Sequence, residues 1–264
     1  MVLKRSKNNN QVPKIDILGV KIDDISQNLA VQKVLELAKD NKKSHYVVTV
    51  NSEFVMLARK NRQFLKILNE ADLALADGAG VVFSKLIFGG KVRDRITGVN
   101  LIEKICQKSA IRAIRIGFLG GFGNVAAMVA KRQKSTNPNL KVVFAQSGDP
   151  SIGYDLRLKR QLLQLGRIDV LFVAYGMGRQ EFWVERNKDD LNIGVFIGVG
   201  GAFDYLSMVK KRAPEFLQNW GMEWFWRLLM EPTRIWRMRV LPAFLILILW
   251  FWTIKILKLY KPYK

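Results

Sequence analysis

Six short apolar runs recur through the first three-quarters of the chain: YVVTV (46–50), LALA (73–76), IRIGFLG (114–120), KVVFA (141–145), DVLFVAYG (169–176) and IGVFIGVG (193–200). Each is too short for a buried helix and lacks the polar alternation of a half-exposed strand, so each reads as a strand covered on both faces. Between them lie amphipathic stretches at about 53–69, 99–109, 123–135, 154–165 and 178–190. An earlier helix is capped by Ser26 and carries Leu29, Ala30, Val34, Leu37 and Ala38 at helical spacing. Buried strands alternating with helices predict an α/β fold, a mostly parallel sheet flanked by helices.

Both ends differ from this pattern. Residues 1–13 are basic and polar without an apolar core segment, which reads as a loose tail and not a signal peptide. The segment 14–204 holds the strand–helix alternation. From 205 to 264 the character changes: six of the seven tryptophans lie there, and no acid follows Pro232. VLPAFLILILWFWTI (240–254) is 15 residues without a charge, shorter than the roughly 20 that span a bilayer as a straight helix. Lys255 and Lys258 can snorkel and extend it, so spanning, re-entrant and surface-lying helices all stay open. Tryptophans beside arginines favour a membrane-seated C-terminal appendage over a buried core helix.

Charge narrows the partners. With 43 basic against 22 acidic residues, the net charge of +21 calls for polyanionic company: nucleic acid, phosphorylated substrates or an anionic membrane surface. Cys106 is the sole cysteine and His45 the sole histidine. That excludes an internal disulfide and leaves no ligand set for structural zinc.

The chemistry gathers at strand ends. In ADLALADGAGVV (71–82) an apolar strand stops at Asp77, beside Gly78 and Gly80. Asp77 either caps the next helix or presents a carboxylate to a cleft at the strand's C-terminal end, where open α/β sheets bind ligands. Gly121-x-Gly123-x-x-Ala126 fits a glycine-rich turn that admits a diphosphate to a helix N-terminus, although tight strand–helix turns use glycine without any ligand. Asp149 reads as a turn residue. The pairs Asp23-Asp24 and Asp189-Asp190 are expected at helix ends, as first-turn charge and solvated surface. The sequence contains no D-x-D triplet, hence no obvious ligand set for a metal bridging a nucleotide diphosphate. AYGMGRQEFW (174–183) and GVGGAFDYL (198–206) leave strands through glycines and should line the same edge as Asp77. Taken alone, Gln180 and Glu181 are ordinary first-turn helix residues.

Together TVNSEFV, ADLALADGAGVV, DRITGVNL, GMGRQEFW, GVGGAFDYLSMVKKRAPEF and WGMEWFWRLLMEPTRIWR, in this order over about residues 15–240, resemble the WecG/TagA/CpsF glycosyltransferase family. Gly178 and Arg179 stand where that family usually has proline and lysine. The resemblance implies a Rossmann-like core with a helical appendage, and an inverting, metal-independent transferase without a cofactor. Its donor would be a UDP-linked N-acetylmannosamine-type sugar, its acceptor an undecaprenyl-diphosphate-linked N-acetylglucosamine, its place the cytoplasmic face of the bacterial membrane. Asp77 then matches the general base. Thr49, Asn51, Arg95 and Gln180 match positions around sugar and diphosphate, and the glycine turns at Gly121, Gly123, Gly200 and Gly201 would hold the nucleotide. Arg227, Arg234 and Arg237, at i, i+7 and i+10 and expected on one helical face, match basic residues that close over the phosphates. The positive charge then needs no nucleic acid, and self-association into a homo-oligomer stays open. Two other classes compete: an NAD-dependent oxidoreductase and a non-catalytic membrane-binding protein.

Overall fold

The computed structural model describes residues 12–257; the tail over 1–11 and Lys258 lie outside the described residues. Strands β1 (Lys14–Ile17) and β2 (Val20–Asp23) form an antiparallel hairpin. Then follow β3 (His45–Val50), β4 (Leu73–Ala76), β5 (Arg115–Gly120), β6 (Lys141–Gln146), β7 (Ile168–Ala174) and β8 (Ile193–Gly198), forming one sheet in the order β4-β3-β8-β7-β5-β6. Every pairing in it is parallel. The helices of the core are α1 (Gln27–Leu37), α2 (Ser52–Lys60), α3 (Arg62–Glu70), α4 (Ala79–Ile87), α5 (Gly98–Arg112), α6 (Val125–Thr136), α7 (Ile152–Gln164), α8 (Arg179–Asn187) and α9 (Ala202–Leu206). Beyond them come α10 (Glu215–Asn219), α11 (Glu223–Met230), a 3₁₀ turn (Pro232–Arg234), α12 (Ile235–Met238) and α13 (Val240–Ile256).

Successive strand residues point to opposite faces, and two cores result. Val47, Val195 and Ile197 pack with Val31 and Val34 of α1, Ile102 and Ile105 of α5 and Val129 of α6. Tyr46, Val48, Val50 and Phe196 pack on the other face with Phe54, Phe64, Leu68, Trp183 and Val184. Cys106 is fully buried in the first core, as a small apolar group. Because all six strands run the same way, their C-terminal ends meet on one edge. Adjacent β5 and β7 send their connections in opposite directions, to β6 and to β8, which opens a crevice there.

Three expectations change. The amphipathic stretch 53–69 is two helices, because Asn61 turns extended (φ −131°, ψ 103°) and its Oδ1 accepts from Phe64 N at 2.9 Å. An asparagine competes for backbone groups in this way and starts a new helix; the break turns Phe64, Ile67 and Leu68 into the core. Asp23 and Asp24 are not first-turn helix charge. Asp23 ends β2 and accepts from Ala74 N at 2.6 Å, while Asp24 accepts from Lys91 N (2.7 Å) and Val92 N (3.0 Å) and pairs with buried Lys85 (3.0 Å). Nor do the three C-terminal arginine positions share a helical face: Arg227 is on α11, Arg234 in the 3₁₀ turn and Arg237 on α12. Pro232 has no N–H to continue α11, so the helix ends before it.

The apolar run forms α13, 17 residues or roughly 25 Å long at about 1.5 Å per residue. Among the described residues no helix is long and apolar enough to cross a membrane. One side of α13 belongs to the core: Phe244 and Ile248 are fully buried in the second core, with the helix packed on α2 and α4. Lys255 is exposed, and its Nζ donates to Phe88 O at 3.1 Å. The other side is bare, with Ile246 67% and Trp250 62% exposed. Phe244→Ala should therefore lower the unfolding free energy by about 3 kcal/mol or more, and Ile246→Ala by less than about 0.5 kcal/mol, in chemical denaturation. Equal costs at the two positions would show that α13 is not seated by one face.

Candidate active site

Asp77 sits one residue past β4, held by the backbone. Its N–H donates to Val50 O at 2.8 Å, continuing the parallel ladder onto β3. The helix cap reading fails here: α4 is capped by Gly78, at φ 125°, without a side-chain hydrogen bond. The carboxylate is left to the cleft. Arg95 reaches the same cleft because Ile96 N donates to Ala76 O at 2.8 Å, laying the 88–97 loop along the edge strand. Asp24 anchors the start of that loop, and Asp94 anchors its end by accepting from Gln27 N at 2.7 Å.

The cavity around Asp77 is closed from above by the C-terminal segment. Asn51, Asp77, Gly80 and Arg95 line it from the sheet edge, and Gly221, Glu223, Trp224, Arg227, Met238 and Leu241 from the appendage. Glu223, which sequence reasoning missed, is 6% exposed and ties two arginines together. It accepts from Arg95 Nη2 at 3.1 Å through Oε2 and from Arg227 Nη2 at 2.9 Å through Oε1. Its available signal was a lone acid one turn before Arg227 in an aromatic helix. Arg227 also lies over the Tyr205 ring, 4.8 Å from its centroid. The side chains of Arg234 and Arg237 lie outside the described residues.

Burial sets the electrostatics of this cavity. It pushes the Asp77 carboxyl up to about 6; Glu223 adds to the rise, while Arg227, Arg95 and the Gly98 N–H oppose it. Burial would also raise Glu223, but Arg227 and then Arg95 outweigh it and hold that carboxyl below its usual value.

The other expected residues separate into groups. Thr49 donates its hydroxyl to Gly198 O at 3.0 Å and is buried. Asn51 lines the cavity, yet its Oδ1 caps α2 by accepting from Phe54 N at 3.2 Å. Gln180 and Glu181 are first-turn residues of α8, as expected, and both are fully buried. Gln180 Oε1 accepts from Gly200 N at 3.0 Å, and Glu181 accepts from Gly178 N at 2.6 Å and from the Tyr46 hydroxyl at 3.3 Å. Burial pushes Glu181 up to about 7. A small pocket lined by Thr49, Asp77, Gln180, Gly200, Gly201 and Arg227 shares Asp77 and Arg227 with the Asp77 cavity, and Gly200 and Gly201 with a wider cleft over β5 and β7.

That second cleft, about 950 Å³, is lined by Gly121, Tyr175, Arg179, Gly200, Gly201 and Asp204 among others. It lies within the several-hundred-Å³ range of small-molecule sites. Gly121 adopts φ 75° and Gly123 φ 59°, the left-handed region that favours glycine. Gly121 lines the cleft; Gly123 lines none of these three cavities. Asp149 is the expected turn residue, accepting from Ser151 N at 2.7 Å. Among the described residues no group of three His, Cys, Asp or Glu side chains is placed to hold a metal ion.

Comparison with known proteins agrees with this architecture. The model of the glycosyl transferase WecG/TagA/CpsF family matches residues 15–256. The N-acetylglucosaminyldiphosphoundecaprenol N-acetyl-beta-D-mannosaminyltransferase of Bacillus spizizenii (strain W23) is 31% identical over 210 residues, 80% of this chain and 80% of that protein. The protein of the same name from Staphylococcus aureus (strain MW2) is 29% identical over 236 residues, 88% of this chain and 91% of that protein.

The raised Asp77 carboxyl has a stability consequence. Folding disfavours its ionised form, so the wild type is least penalised below the ordinary carboxylate range and loses stability as pH rises through about 6. Asn carries no charge at any of these values. Asp77→Asn should raise Tm by a few degrees at pH 7.5, with the gain gone at pH 4, by calorimetry. A lower Tm for the variant at pH 7.5 would contradict the burial argument.

Proposed function

From the premise that this chain belongs to the WecG/TagA/CpsF glycosyltransferase family, we propose that it transfers an N-acetylmannosamine-type sugar from a UDP donor to undecaprenyl-diphosphate-linked N-acetylglucosamine. The product would serve teichoic acid or another surface polysaccharide. The observation that carries this reading is one cavity holding the Asp77 carboxylate together with Arg95 and Arg227. A base and two fixed cations are what an inverting displacement needs. The base takes the proton of the acceptor hydroxyl as its oxygen attacks the anomeric carbon. The bond from that carbon to the UDP oxygen breaks on the opposite face, and the departing diphosphate takes the electron pair. Guanidiniums beside it stabilise the developing charge without a divalent metal.

Two clefts at the same sheet edge suit two substrates. The nucleotide occupies the β5/β7 crevice, with the backbone of Gly121, Gly200 and Gly201 approaching its phosphates; the lipid-linked acceptor enters beside the appendage. Residues 14–204 form the transferase core and 205–264 the appendage. Its bare apolar side, with Trp220, Trp236, Ile246 and Trp250 exposed, rests peripherally on the cytoplasmic membrane surface, where the net charge of +21 meets anionic lipid. An 80–91% span of the named relatives supports carrying their reaction over.

Assay of UDP-sugars against a short-chain lipid-linked acceptor tests the reading directly; transfer of no sugar, or binding of NAD in place of UDP, would overturn it. Asp77→Asn should retain UDP affinity and lower kcat by roughly 100-fold or more, the usual contribution of a general base. Near-normal turnover would remove Asp77 from the chemistry. The wild-type kcat/KM should fall on the acid side near pH 6, where Asp77 takes up its proton. Activity should survive exhaustive EDTA treatment; loss restored by magnesium or manganese would refute the arginine-only account of the leaving group.

A further inference from the structure

Arg95 and Arg227 come from separate parts of the chain, the loop after α4 and the second turn of α11, yet their guanidiniums meet on a single carboxylate. Each oxygen of Glu223 accepts one bond, at 3.1 Å from Arg95 and 2.9 Å from Arg227. Two adjacent oxygens bridging two guanidiniums is also how a phosphate would be held. Glu223 is almost fully buried, so water does little to screen this contact. A pair of converging guanidiniums without an anion between them would repel each other at a poorly hydrated position. With no competitor, the same pair would grip the departed diphosphate, which carries one more negative charge than its sugar ester, more firmly than the reactant and slow its release.

We propose that Glu223 is a positioning residue acting as an internal counter-anion: it holds Arg95 and Arg227 together in the empty enzyme and competes with the substrate diphosphate for them. The inference rests on the reading of the two arginines as the diphosphate site. Glu223 acts through the two arginines that it bonds. Glu223 is the first residue of α11, so the diphosphate that takes over its partners also loosens the hold of the appendage on the 88–97 loop. Two sources supply the chemistry, the nucleotide of the donor and the lipid diphosphate of the acceptor.

The test is a calorimetric titration of full-length wild type, Glu223→Gln and Glu223→Asp with three probes: UDP, farnesyl diphosphate and inorganic pyrophosphate. Removing the competing charge should tighten diphosphate binding by about 10-fold in Glu223→Gln, with Glu223→Asp between it and wild type. Gain for UDP alone assigns the arginines to the donor, and gain for farnesyl diphosphate alone to the acceptor. A purely structural role predicts the reverse, weaker binding as the arginines lose their anchor. A second readout is the acid limb of kcat/KM. Asp77 faces Glu223 and Arg227 from α11, Arg95 from the 88–97 loop and the Gly98 N–H from α5, with Glu53 of α2 lining the same cavity. Loss of the Glu223 charge should move that limb to lower pH. Unchanged or weaker affinity for all three probes in a folded Glu223→Gln overturns the proposal. Should that variant not fold, Glu223→Asp with wild-type or weaker affinity does the same. Wild type that binds none of the probes refutes the diphosphate site itself, and with it the proposal.

Discussion

Parallel strand pairing is the constraint from which the site follows. A parallel ladder needs a crossover after each strand, and here each crossover supplies helices that cover one face or the other. The arrangement sends every strand's C-terminal end to one edge. Asp77 after β4, the Asn51 cap after β3, the Gly121 turn after β5 and the glycines after β8 therefore lie along one edge, although they are spread over 150 residues. The ladder even extends past the strands: Asp77 N bonds to β3 and Ile96 N to β4, which fixes the carboxylate and brings Arg95 beside it.

Electrostatics at that edge is a balance of burial against paired charge. Burial alone would raise the carboxyls of both Asp77 and Glu223. Glu223 escapes because two guanidiniums bond to it, whereas Asp77 is left with longer-range attraction and the Gly98 N–H, and its carboxyl stays high. The two acids thus differ in proton affinity within one pocket, and the one with the raised value is the one without arginine hydrogen bonds. A carboxyl raised to about 6 suits the base role proposed for Asp77, ionised near neutrality yet basic enough to take a proton.

The C-terminal segment joins core and surface. Phe244 and Ile248 complete the second core, so α13 is part of the fold and not a loose attachment, while Ile246 and Trp250 on its opposite side stay bare. A helix held in this way keeps α11, and with it Glu223 and Arg227, over the strand edge. The same segment that closes the cavity thereby presents the apolar surface.

Much of this was legible in the residues themselves. Uninterrupted apolar runs separated by amphipathic stretches determine strands buried on both faces, because hydrophobic periodicity is a local property of the chain. Asp77 at the mouth of such a strand, and the glycine turns beside it, could be singled out for the same reason. Other features depend on distant partners. Glu223 reads as one acid among tryptophans until Arg95, 128 residues away, meets it. Asp23 and Asp24 read as helix-end charge until β4 and the 88–97 loop supply their N–H donors. The i, i+7, i+10 arginine spacing suggested one helical face, but Pro232 ends α11 and the three fall on three elements. Local sequence determined the elements and the side chains capable of chemistry. Tertiary structure alone decided which carboxylate the arginines bond and which they only face, because pairing and burial are set by groups that only folding brings together.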